Sequence, residues 1–126
     1  MLFSIDTGKY VNNLPHKKDF DIWRKNLSDD DYMKVIDTLN AIFDENEINT
    51  AGWIPGSNWD GTVYEPLYVA CNSNPTQAGM FLGLIIFDLL MQRQDKVWGF
   101  GKYEKNGVPI RSITYFVLDN PPPNKI

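Results

Sequence analysis

Apolar residues concentrate in one stretch, Ala78–Met91, where two glycines and Asp88 alone interrupt the hydrophobic run. The run predicts a helix over Asn74–Arg93. Asn74 or Ser73 can cap its first amides, and Pro75 sits where a missing N–H costs nothing. Those fourteen positions extend about 21 Å at helical rise. That is too short to span a bilayer, and the run carries a carboxylate. A helix apolar on all sides must be covered on most of them. The predicted cover is a sheet on one face and a helix or second subunit on the other. Gly79 and Gly83 share a face and are expected to admit close approach of the chain's own sheet.

A second helix is expected over Ser28–Asn46. Tyr32, Val35, Ile36, Leu39, Ile42 and Phe43 follow helical spacing. Ser28 with Asp31 resembles a capping box, and Asp29, Asp30 and Asp31 suit the positive end of the helix dipole. Lys17–Asn26 reads as a short helix with Phe20 and Trp23 on one side. Leu2–Ile5 reads as a short strand, Asp6–His16 and Asn49–Asp60 as loops, and Thr62–Ala70 as a strand weakened by Pro66. Val97–Leu118 is a hairpin about Asn106-Gly107, the pair that favours a two-residue turn. With that turn, Trp98 faces Tyr115, Phe100 faces Ile113 and Lys102 faces Arg111. Both faces carry aromatics, so the pattern does not say which is inside.

These elements define an α+β fold: an antiparallel sheet of about four strands, including hairpin 97–118, packed by helices near 28–46 and 74–93. One domain over 1–119 is expected, followed by a Pro-rich extended tail over 120–126. The size of 126 residues and hydrophobic share of 43% allow one substantial core.

Charge and cysteine content narrow the function classes. The net charge of −4 disfavours broad binding to a nucleic-acid backbone, which needs a basic face. Cys71 is the sole cysteine, so no internal disulfide forms and a thiolate zinc site is disfavoured. The apolar content near the N-terminus is too short for a signal peptide. A cytoplasmic, non-membrane protein is expected.

Four features invite a chemical reading. The loop bearing Trp53 and Trp59, leading to Tyr64, has the aromatic character of a partner hot spot; it also suits a lid over a core edge. The hairpin face bearing Trp98, Phe100, Lys102 and Arg111 offers aromatics beside two cations, a stacking platform for a nucleotide or single strand. Equally, Trp98 and Phe100 can cover the apolar helix. Asp88 is a buried-acid candidate, although Gln77, Gln92 and Asp95 lie on a similar side and fit a solvated stripe. Cys71 stands before a helix start that would favour a thiolate, with His16 as the one histidine available to pair with it.

No phosphate-binding glycine loop, dinucleotide fingerprint or metal-ligand cluster appears. No metal site, cofactor or catalytic residue is expected. The reading is a small soluble protein-interaction module, of inhibitor, immunity or accessory-subunit type, rather than an enzyme. Its partner surface is assigned to Trp53, Trp59 and Tyr64. A homodimer through the 74–93 helix is a further expectation. The alternative is a small-ligand, nucleotide or single-strand binding domain using Trp98, Phe100, Lys102 and Arg111.

Overall fold

A computed structural model describes residues 1–51, 54–56, 58–101, 104–105, 108–109 and 113–123, with 104–105 and 108–109 described by backbone alone. The chain runs β1 (Leu2–Ser4), β2 (Lys9–Val11), α1 (Lys17–Lys25), α2 (Asp29–Glu45) and β3 (Ile48–Thr50). It continues through α3 (Glu65–Ala70), α4 (Pro75–Gln92), β4 (Trp98–Gly101), β5 (Glu104–Lys105), β6 (Val108–Pro109) and β7 (Thr114–Val117).

The fold is mixed α+β, with a sheet of five strands rather than about four, in the order β2-β1-β4-β7-β3. All pairings in it are antiparallel except β1 with β4. That parallel pair joins the start of the chain to a strand beyond all four helices, which serve as its crossover. Two strands arise where the sequence predicts loop. Gly8, at φ +67°, turns β1 back into β2. β3 adds to the far edge beside β7.

The helix ends are as the sequence predicts. The Ser28 hydroxyl accepts from the Asp31 amide at 3.1 Å, and Asn74 Oδ1 accepts from the Gln77 amide at 3.1 Å. Pro75 occupies the first turn of α4. In α1, Phe20 and Trp23 are the buried pair, and both rings pack on Phe81 of α4 at 5.8 Å.

Thr62–Ala70 is a correction: its second half is helix, not strand. The side chains buried there are Tyr64, Leu67, Ala70 and Cys71, spaced by three or four. That is a helical stripe which β-branched and aromatic composition disguises. Pro66, awkward in a strand, stands in the first turn of α3. The helix ends in a left-handed Asn72 (φ 55°). The Ser73 amide reaches Tyr68 O at 2.9 Å and the Asn72 amide reaches Val69 O at 3.1 Å. This pair of bonds is a Schellman closure, and it turns the chain directly into α4.

The hairpin register holds near its turn and shifts beyond it. Lys105 pairs with Val108 as expected, but Phe100 pairs with Tyr115 and Trp98 with Val117. The return arm has four residues between ribbon and sheet (110–113) where the outgoing arm has two (102–103). The excess is even, so the side chains of β4 and β7 keep their predicted faces. The inner face is the one carrying Trp98, Phe100 and Tyr115. Phe43 of α2 meets Trp98 at 5.2 Å and Tyr115 at 6.3 Å, and Phe87 of α4 meets Phe100 at 5.3 Å. On the outer face, Phe3 meets Tyr10 edge-on at 5.2 Å, and Tyr10 Oη donates to the Pro122 carbonyl in the tail.

α4 contacts α1, α2 and α3, and eight of its side chains are buried. With its capped first turn it has 18 residues and, contrary to the expectation from Ala78–Met91, is long and apolar enough to cross a membrane; here it forms the centre of the core. Gly79 and Gly83 also depart from expectation. Among the described residues, nothing lies within 4 Å of where a Cβ would stand on either. They do not admit the sheet. They line apolar hollows beside Ala51, Leu82 and Phe87.

Candidate functional site

The aromatic loop forms the wall of a cleft. Its shape follows from local hydrogen bonds rather than regular structure. The Thr62 amide and hydroxyl both donate to Trp59 O, at 3.0 and 2.7 Å. Gly61, at φ +72°, donates its amide to Glu65 Oε2 at 2.9 Å. The Trp59 indole N–H donates to Gly56 O at 3.2 Å. These bonds fix the half-buried Trp59 ring, which tilts against Tyr64 at 6.0 Å. Tyr64 is 6% exposed, and burial raises its phenol above the ordinary value. It therefore braces the loop from beneath, while Trp59 presents the open surface.

Opposite this wall stand α3 and the start of α4. The Schellman turn between them sets Tyr68 beside Pro75 and Ala78. Together with Asn58, Trp59, Asp60 and Glu65 these residues enclose a cleft of about 390 Å³. Tyr68 is 37% exposed, and its neighbour Val69, at 66%, extends the apolar surface toward Val63 and Pro66. Asp60 and Glu65 form no ion pair among the described residues. The cleft thus combines two aromatic walls with two uncompensated carboxylates.

The residues singled out by sequence are distributed unevenly. Trp59 and Tyr64 come together, and Trp53 lies outside the described residues. Trp98 is fully buried under α2, and Phe100 turns onto α4, so the inner face of the hairpin is core. Lys102 and Arg111 lie outside the described residues. Asp88 is half-buried, with its charge raising the Tyr32 phenol after burial does so more strongly. Gln77, Gln92 and Asp95 are exposed, as a solvated stripe requires. Sequence reasoning did not single out Glu65 and Tyr68 as site residues. The available signal was the helical spacing of Tyr64, Leu67, Ala70 and Cys71, which puts Glu65, Tyr68 and Val69 on the outward side.

Cys71 caps α3 instead of ending a strand. It is fully buried, and burial pushes its thiol up to about 11. His16 is exposed at the start of α1. A rise from the ordinary 9 to about 11 lowers the thiolate fraction near neutrality about a hundredfold. Iodoacetamide should therefore label the native protein at least about a hundredfold more slowly than it labels glutathione; an ordinary rate would remove the buried placement. Unfolding returns the thiol to its ordinary value. The stability due to its neutral form is present below pH 9 and is lost as pH rises toward 11. Cys71→Ala should flatten that alkaline decline.

Among the described residues, no group of three or more His, Cys, Asp or Glu side chains is placed to hold a metal ion. Comparison with known proteins gives no match: no family model, curated protein sequence or solved structure aligns significantly with the chain.

Proposed function

We propose that this protein is a small interaction module that binds another protein through the cleft between the Trp59 loop and α3. The observation supporting this reading is the half-buried Trp59 held on buried Tyr64 and facing an exposed Tyr68 across an open cleft. A rigid aromatic beside a partly exposed tyrosine loses little conformational freedom on binding, which is why such residues dominate interface energetics. Val69, 66% exposed, adds apolar surface on α3 in the hollow that shares Glu65 with the cleft. A protein partner uses such surface better than a small solute does.

The test compares the immobilised wild-type protein with Trp59→Ala and Tyr68→Ala in capture from source-cell lysate, alongside thermal melts. One protein held near stoichiometrically by the wild type, and lost by Tyr68→Ala with Tm preserved, is the expected outcome. Equal retention by wild type and both folded variants would place the interaction elsewhere. Unfolding by Trp59→Ala would make that ring a core lid, leaving Tyr68→Ala to decide the surface.

A further inference from the structure

The chemistry of the cleft specifies more than an apolar partner. Trp59 and Tyr68 contribute aromatic rings, Asp60 and Glu65 contribute carboxylates, and no Lys or Arg is among the described residues that line it. Aromatic faces attract cations through their quadrupole. Carboxylates add direct charge and, toward a planar donor, a bidentate geometry. One Glu65 oxygen is occupied by the Gly61 amide, a bond that orients the carboxylate and leaves the other oxygen without a donor among the described residues.

The same molecule already shows how such a set of groups is filled. Arg24 places its guanidinium carbon 4.1 Å from the centre of the Tyr32 ring while its Nη2 meets Asp29 at 2.6 Å. Tyr68, Trp59, Glu65 and Asp60 bring the same kinds of group, aromatic rings and carboxylates, into one cleft, with no Lys or Arg among its described lining residues. Guanidinium fits it better than ammonium, because it is planar, weakly hydrated and able to stack and fork at once. The chain's net charge of −4 further favours approach of a basic surface.

Resting on the interaction-module reading, we infer that the cleft receives an arginine side chain from the protein partner, stacked on Trp59 or Tyr68 and paired with Glu65 and Asp60. The probe is Nα-acetyl-arginine amide, followed by NMR on the ¹⁵N-labelled full chain, with the citrulline and lysine analogues in parallel. The arginine probe should shift the Trp59 indole N–H and the Gly61 amide saturably. Its dissociation constant should be on the order of a millimolar, as expected for one side chain. The neutral citrulline analogue should bind at least about tenfold more weakly and the lysine analogue about threefold more weakly. Glu65→Gln keeps an acceptor for Gly61 while removing the charge, and should weaken the arginine probe about tenfold. Asp37→Asn, on the exposed side of α2, should leave it unchanged.

Equal binding of the citrulline analogue, or indifference to Glu65→Gln, would overturn the inference. Equal binding of the lysine analogue would overturn the choice of arginine. If Tyr68→Ala abolishes capture of a partner while an Asp60→Asn/Glu65→Gln variant retains it fully, the arginine inference falls and the module reading stands. If the arginine probe binds but wild type and variants capture the same proteins, the module reading falls, and with it the assignment of the cation to a protein partner.

Discussion

Trp98→Ala should destabilise the protein by about 3–5 kcal/mol, the range for deleting a large aromatic from a packed core. Trp98 is fully buried, and so is the Phe43 ring that stands 86° to it at 5.2 Å. That perpendicular pairing sets the positive edge of one ring against the negative face of the other. Trp98 also lies on β4 between β1 and β7, opposite Leu2 on one side and Val117 on the other. Its removal therefore opens a cavity where α2 meets the sheet. Against a typical total of about 5–15 kcal/mol, this loss would leave a marginal fold. Trp98→Phe offers a sharper comparison. Among the described residues the indole Nε1 has no hydrogen-bond partner, so phenylalanine loses volume but sheds an unsatisfied donor. It should cost well under half as much as alanine. Urea denaturation of both variants measures this, and a loss below about 1 kcal/mol for Trp98→Ala would mean that the site collapses around the gap.

Thr114→Val should cost about 1–3 kcal/mol, while Thr50→Val/Thr114→Val should fold nearly as stably as the wild type. The two threonines are cross-strand partners on β3 and β7, with hydroxyl oxygens 2.8 Å apart. Both are nearly buried, at 7% and 4% exposure. One substitution strands the remaining hydroxyl out of reach of water. Two remove the polar demand entirely and leave β-branched side chains suited to strands. The coupling energy from the four proteins of the cycle is the informative quantity. Additive losses would show that each hydroxyl is satisfied independently of the other. This bond also fastens β3, an edge strand whose Ile48 is 70% exposed, so Thr114→Val should raise amide exchange in β3 before the rest of the sheet.

The candidate site was half legible. Trp59 and Tyr64 stand out in sequence because two large rings share a loop with glycine and proline. Glu65 and Tyr68 do not, because a run containing Val63, Tyr64, Tyr68 and Val69 has strand composition. The stripe that overrules it has only four buried positions. Of the hairpin residues, Trp98 and Phe100 pack against the helices, while Lys102 and Arg111 lie outside the described residues. Trp98 and Phe100 look equally apt for stacking a ligand or covering a helix, and local sequence carries no information about which sheet face the helices reach.

What the sequence determined by itself was the local and periodic part of the fold. Caps at Ser28 and Asn74, the apolar stripe of α2, the uniform apolarity of α4 and the alternation of β4 and β7 are each decided within a few residues. Hydrogen-bond geometry and side-chain period act over that same range. Tertiary structure alone decided the non-local pairings. These include β1 lying parallel to β4 across nearly the whole chain, β3 closing the far edge, and the two-residue displacement of β7 against β4. Each depends on the summed burial of side chains contributed from distant segments, a quantity that no local window contains. The cleft belongs to this second class. Its aromatic wall comes from a loop and its floor from two helices, and they meet because the Schellman turn at Asn72 brings α3 onto α4.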